Sequence, residues 1–247
     1  MIPNNLRPIV DVEIDQPKSL WNGRIPLGSL TLLEGYEGSG KATLMAHLAA
    51  AITAGRDIPE MKMDGIANVF WLSGEDHLSL VKRRLISAGA DLNRVFVTDR
   101  SFSFCQHEVM WLTKQVENVN PLLIVIDPIF AYLAGDANNH EEVRFLTRSL
   151  GNIASQFNCA IVMIRHMRQP RWSRRVSSEF NASARSVLHA AYMDEEEAPD
   201  DGERLAVVQT KNNFGPNADR LQYRIEPNPD SPGEGKVLWK EIRYVQV

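Results

Sequence analysis

The stretch Gly35-Tyr36-Glu37-Gly38-Ser39-Gly40-Lys41-Ala42-Thr43 decides how this chain is read. It has the form G-x-x-x-x-G-K, and both flanks suit that motif. Before it, Gly28-Ser-Leu-Thr-Leu-Leu-Glu-Gly35 is a short apolar run closed by glycine, which predicts a buried strand. After it, Leu44, Leu48, Ala51 and Ile52 share one face, which predicts a helix over 41–54. The glycines let the backbone curl until several N–H groups converge on phosphate oxygens. The helix N-terminus adds its positive dipole end. Lys41 reaches the β- and γ-phosphates. The candidate nucleotide-binding set is therefore Gly35, Glu37, Gly38, Ser39, Gly40, Lys41, Ala42 and Thr43. The competing reading is a glycine-rich turn that happens to carry a lysine. One position breaks the pattern. The residue after the lysine is normally Ser or Thr, whose hydroxyl ligates Mg²⁺, and here it is Ala42. Thr43 does not simply substitute, because one step along a helix turns the side chain by about 100°.

Working outward, apolar runs at 28–35, 69–72, 95–97, 122–126 and 160–164 alternate with helical patterns at 41–54, 78–88, 107–118 and 141–157. Strands without polar alternation, separated by amphipathic helices, predict an α/β fold: a mostly parallel central sheet with helices on both faces. From about residue 187 four strands (187–192, 205–210, 221–225, 237–240) are joined by turns and predict an antiparallel C-terminal extension. Residues 1–27 hold several prolines and little periodicity, and read as an extended arm. We place an arm at 1–20 and a single domain at 21–247, consistent with a length of 247 residues.

The C-terminal ends of parallel strands face one crevice, so acids there are candidates for metal and water. Leu122-Leu-Ile-Val-Ile-Asp127 is an apolar strand ended by one acid, and Asp127 is the expected metal-side carboxylate. The alternative is an aspartate that merely ends a strand before Pro128. In Leu72-Ser-Gly-Glu75-Asp76, Glu75 is the expected base for the attacking water, with Asp76 the alternative base or a cap for the next helix. The fifth strand ends Ile164-Arg165-His166, and His166 is placed to sense a γ-phosphate, against the plainer reading of a structural histidine.

Composition narrows the classes. A formal charge of -4 excludes a bulk polycation. Two cysteines, Cys105 and Cys159, make no disulfide scaffold and suggest a reducing cytoplasm, Cys159 as a buried structural thiol. No apolar run reaches the ~20 residues of a membrane span, and the N-terminus has no secretory pattern. Within this acidic chain, Arg165-His-Met-Arg168-Gln-Pro-Arg171-Trp172-Ser-Arg174-Arg175 is a local basic cluster. Arginines pair with phosphates and Trp172 stacks on a base. The expected DNA contacts are Arg168, Arg171, Trp172, Arg174 and Arg175. The alternatives are a solvated loop or pairing with the acidic stretch 194–203. Arg185 and Lys211 sit in small or apolar segments and need partners. An acid in the chain, or the phosphates of a nucleotide on an adjacent subunit, would serve.

The ordered set of Gly23-Arg-Ile-Pro-Leu-Gly, the Gly35–Thr43 loop, Ser73-Gly-Glu-Asp, Val125-Ile-Asp127-Pro, Arg165-His166, Ala184-Arg185-Ser-Val-Leu and Thr210-Lys211-Asn-Asn-Phe-Gly resembles RecA-like P-loop ATPases of the RepA type, the hexameric replicative helicases and their relatives. The resemblance runs from about Trp21 to about Glu226. It implies a RecA-like fold and a homo-oligomeric ring, usually a hexamer, with ATP and Mg²⁺ at subunit interfaces. Lys41 would meet the phosphates, Asp127 the metal, Glu75 the water and His166 the γ-phosphate. Arg185 and Lys211 would reach across from the neighbour, and the loop after His166 would touch single-stranded DNA. Two departures stand out: Ala42, and a 167–178 loop rich in arginine where relatives favour glycine. Three functions are carried forward: a helicase-like ATPase in DNA replication, a nucleotide-dependent DNA-binding switch with weak hydrolysis, and a regulatory ATPase with a protein target.

Overall fold

A computed structural model describes residues 8–12, 18–98, 100, 102–133, 139–167, 177–193 and 205–240. In chain order its elements are β1 (Ser19–Trp21), β2 (Ile25–Pro26), β3 (Leu30–Gly35), α1 (Lys41–Ala54), β4 (Asn68–Ser73), α2 (Leu78–Ala88), β5 (Val95–Val97), α3 (Gln106–Val119), β6 (Pro121–Asp127), α4 (His140–Phe157), β7 (Ala160–His166), α5 (Ser177–Ser183), β8 (Ser186–Tyr192), β9 (Leu205–Asn212), β10 (Leu221–Pro227) and β11 (Gly235–Trp239). Nine strands form one sheet in the order β11-β10-β9-β8-β3-β7-β6-β4-β5. From β8 to β5 every neighbouring pair is parallel, and β8–β9, β9–β10 and β10–β11 are antiparallel.

The central strands are largely apolar at both alternating phases because both faces are covered. Leu33, Trp71, Val125 and Ile164 point into a core with Leu44, Leu48 and Ile52 of α1. Their neighbours Leu32, Phe70, Ile124 and Met163 point the other way, against Leu146, Leu150 and Ile153 of α4. That is the period of two expected of a strand, with both phases buried. Gly55 and Gly89 end α1 and α2 in the left-handed conformation at φ +63° and +76°, where a residue without Cβ is strain-free. Asn139 opens α4 by accepting from the N–H groups of Glu141 and Glu142.

Three features depart from or add to the sequence expectation. Within the expected arm, β1 and β2 pair antiparallel and bury Trp21 and Ile25 in the core. Trp21 Nε1 donates to the Pro59 carbonyl at 2.9 Å, and buried Arg24 pairs with Glu60 and donates to the Asp219 carbonyl. Second, the four C-terminal strands form the expected antiparallel extension, and its first strand, β8, also joins the parallel sheet on its other side. β8 runs parallel to β3, because α5 returns the chain to the starting end of the sheet before β8 begins. Third, Arg165 does not belong to the basic loop. It is the next-to-last residue of β7, buried beside Glu34.

Candidate nucleotide-binding site

The C-terminal ends of β3, β4, β6 and β7 open on one cleft of about 500 Å³. Its lining includes Gly38, Gly40, Lys41, Ala42, Thr43, Glu75, Asp127 and His166. The structure thus gathers the two strand-end acids, the histidine and the glycine-rich loop around one space. Gly38 and Gly40 have φ +79° and +73°, values that L side chains rarely adopt. Close approach constrains Gly35 instead: a Cβ there would lie 2.4 Å from the Ala190 carbonyl oxygen and 2.5 Å from Ser39 Oγ.

Lys41 is buried, and its ammonium donates to the carbonyls of Gly35 and Tyr36 at 2.8 and 2.7 Å and to Ser39 Oγ at 3.3 Å. Burial lowers its pKa to about 8, against the raising influence of Asp127 and Glu37. Asp127 is buried, and burial pushes its carboxyl up to about 6, with Asp76 adding to the rise and Arg84 opposing it. Among the described residues no hydrogen bond or ion pair reaches the Asp127 carboxylate. Glu75 is exposed at the cleft. Asp76 does not cap α2: the N-cap residue is His77, and the Asp76 carboxylate pairs with Arg84. His166 is half-buried, its Nδ1 enclosed without a partner, and burial and then Lys41 hold its pKa below the ordinary value.

Just beneath the loop lies a buried ionic cluster that sequence reasoning did not find. Glu34, one residue before Gly35, pairs with Arg165, one residue before His166. Arg165 also donates to Asn181 Oδ1 of α5 at 3.2 Å, and His189 Nε2 lies 3.8 Å from Glu34. Arg165 and Glu34 occupy opposed positions on adjacent strands, so each neutralises the other where neither meets water. Arg84, Tyr192, Leu205 and Ile225 also line the cleft without having been singled out in the sequence. They come from elements far along the chain, and no local pattern marks them.

Arg185 and Lys211 lie elsewhere. Arg185 N–H donates to the carbonyl of Leu30 at the start of β3, so its backbone sits at the opposite end of the sheet, about 16 Å from the loop at ~3.3 Å per residue; Lys211 pairs with Val187, which is in register with Leu32 midway along β3. Arg185 is exposed. Lys211 Nζ donates to the carbonyls of Asn181 and Ala182 at 2.6 and 3.2 Å, and burial and then Arg185 lower its pKa. Arg168, Arg171, Trp172, Arg174 and Arg175 lie outside the described residues.

Comparison with known proteins agrees with this geometry: residues 7–171 match the model of the AAA domain family AAA_25. The chain belongs to this AAA domain family. Its fold is that of RecA-like P-loop ATPases. Relatives include the DNA repair protein RadA of Mycobacterium tuberculosis, 25% identical over 161 residues that make up 62% of this chain and 30% of RadA. RadA of Streptococcus pneumoniae is 23% identical over 67% of this chain and 38% of its own length. The chain spans about a third of the length of these relatives. Among solved structures, the KaiC-like protein PH0186 of Pyrococcus horikoshii superposes with a TM-score of 0.64 at 16% identity, covering 92% of this chain and 98% of that one. The ATPase domain of G40P superposes at 0.60 with 14% identity, covering 79% and 80%. These likenesses speak to fold alone.

The family implies Mg²⁺, and the residues fit it. Mg²⁺ is commonly held by one or two carboxylates plus substrate phosphates and keeps several waters. Asp127, buried and without a direct partner among the described residues, would supply one such carboxylate. No group of three metal-binding side chains occurs among the described residues. Cys105 and Cys159 are free thiols, and burial pushes Cys159 up to about 12. No helix among the described residues is long and apolar enough to cross a membrane.

Proposed function

We propose that this protein is an oligomeric ATPase of the RepA type that couples ATP hydrolysis to movement on, or remodelling of, single-stranded DNA in replication. The observation that carries the reading is the convergence of Lys41, Glu75, Asp127 and His166 on one cleft, with Arg185 and Lys211 outside its lining. Lys41 exchanges its bonds to the Gly35 and Tyr36 carbonyls for β- and γ-phosphate oxygens, and the N–H groups opening α1 complete the cradle. Asp127 holds Mg²⁺, which when bound neutralises charge on the β- and γ-phosphate oxygens. Glu75 accepts a proton from water as the water oxygen bonds to the γ-phosphorus and the bond to the bridging β–γ oxygen breaks, leaving ADP and phosphate. His166, its pKa lowered by burial and then by Lys41, reports the γ-phosphate to the chain that follows it. Arg185 and Lys211 do not line their own cleft, and in this reading they serve the nucleotide of a neighbouring copy, as a ring provides. Arg168, Arg171, Trp172, Arg174 and Arg175 contact the DNA. The relatives named for DNA repair are in keeping with a nucleic-acid role.

Ala42 favours a second reading: a switch that binds ATP on DNA and turns it over slowly. Steady-state ATP turnover with and without single-stranded DNA separates the two. DNA-stimulated turnover by an assembled form supports the motor. Tight binding with almost no turnover supports the switch. Failure to bind ATP with Mg²⁺ present overturns both.

A further inference from the structure

Tyr192 closes β8 at the lip of the cleft, half exposed at 49% although it is a large aromatic. Its phenol donates to the carbonyl of Gly38 at 2.9 Å, which stands the ring against the crest of the phosphate loop. Leu205 is its register partner on β9, and Ile225 of β10 reaches the same lip, where its Cδ1 would lie 2.4 Å from a Cβ at Gly40. The cleft therefore has two unlike walls. Acids and the histidine occupy the side of β4, β6 and β7. Apolar and aromatic side chains occupy the side of β8, β9 and β10.

A nucleoside triphosphate has the same polarity: three charged groups at one end and a flat apolar ring at the other. If the γ-phosphate lies at Asp127, Glu75 and His166, the nucleoside end must leave the loop toward the opposite wall. We infer that Tyr192, backed by Leu205 and Ile225, is a stacking platform for the nucleobase of the bound nucleotide. The inference rests on the proposed reading of the cleft as a nucleotide site and adds which end of it takes the base. Because the phenol is already committed to Gly38, the ring offers its face and not a hydrogen bond, so it senses a planar π-system.

Calorimetry with ADP and with inorganic tripolyphosphate, Mg²⁺ present, tests it on the full chain. Tripolyphosphate occupies the cradle and has no base. Tyr192→Ala should weaken ADP by about 5- to 150-fold, the range for loss of one base–aromatic stack, and change tripolyphosphate affinity less than about twofold. Tyr192→Phe removes the bond to Gly38 and keeps the ring, so ADP affinity should stay near wild type. The inference is overturned if Tyr192→Ala leaves ADP binding unchanged, or weakens ADP and tripolyphosphate alike, since Tyr192 would then act only by bracing the loop. If wild type binds tripolyphosphate as tightly as ADP, the platform is wrong and the phosphate site stands. If it binds neither, the nucleotide reading itself fails.

Discussion

Gly40→Ala is the sharpest local test of the phosphate loop. Gly40 sits at φ +73°, and a Cβ there would lie 2.4 Å from Ile225 Cδ1 and 3.4 Å from Leu205 Cδ1. The left-handed conformation costs an L residue about 1–2 kcal/mol. Ile225 Cδ1 is the free end of a side chain, and turning it aside costs about 0.5–1.5 kcal/mol. The two contributions amount to about 1.5–3.5 kcal/mol, with backbone handedness the larger share. The molecule can carry that strain in place, and stability falls by that amount. Alternatively it can let the loop leave its curled form, and Mg²⁺–ADP affinity falls by roughly 10- to 400-fold for the same free energy. Urea denaturation and calorimetry on one preparation read both, and the two losses together should account for the strain. Ile225→Val deletes Cδ1, so on the Gly40→Ala background it should recover about 1 kcal/mol and no more. A Gly40→Ala protein that melts and binds like wild type refutes the reasoning. Complete rescue by Ile225→Val refutes the part that blames handedness, leaving close approach as the whole cost.

Ala42→Ser restores the hydroxyl expected after Lys41 and should raise the Mg²⁺-dependent turnover rate while leaving ADP affinity within a few-fold; no gain in turnover would show that Ala42 is not what limits the metal site. Arg165→Met leaves Glu34 buried without its cation and should cost about 3–5 kcal/mol in urea denaturation, and Glu34→Gln on that background should recover part of the loss. His47, enclosed with its Nε2 accepting from Trp239 Nε1, is held down to about 4, first by burial and then by Arg56 and Lys236. The unfolded chain takes up this proton first, so the contribution to stability is whole above pH ~6.5 and is lost as pH falls toward 4, up to about 3 kcal/mol. Thermal unfolding at pH 7.5 and 4.5 should show a smaller fall for His47→Gln than for wild type.

Much of this was legible in the residues because it is written in short-range periodicity. Leu44, Leu48 and Ile52 announce α1, and an unbroken apolar run that stops at Asp127 announces a strand buried on both faces. The loop, Asp127, Glu75 and His166 could be placed on one crevice because all follow parallel strands. What was not legible depends on partners distant in sequence. The β1–β2 ribbon is too short and too rich in proline for any period, and it holds through Pro59, Glu60 and Asp219. The direction of β8 is set by α5, a helix of seven residues with no amphipathic repeat to declare it. Arg165 looks like one more basic residue beside Arg168 until β7 is seen to carry it into the sheet opposite Glu34. Arg84 and Tyr192 gain their places only when α2 and β8 arrive at the cleft.

Under the proposed reading, the sheet accounts for the bearing of Arg185 and Lys211 on assembly. In a parallel sheet every strand delivers its last residue to one edge, and here that edge holds Lys41, Glu75, Asp127 and His166. Arg185 enters at the other edge, beside the first residue of β3, and Lys211 pairs with Val187, in register with Leu32 midway along β3. Neither side chain lines the cleft, so in that reading both serve the nucleotide of a neighbouring copy. One element touches both edges' machinery. Asn181 of α5 accepts from Arg165, the residue before His166, through its side chain, and from Lys211 through its carbonyl. A shift of His166 on meeting a γ-phosphate therefore has a short covalent and hydrogen-bonded route to Lys211. Under the proposed reading, the edge that senses one nucleotide is mechanically tied to the edge that serves the next.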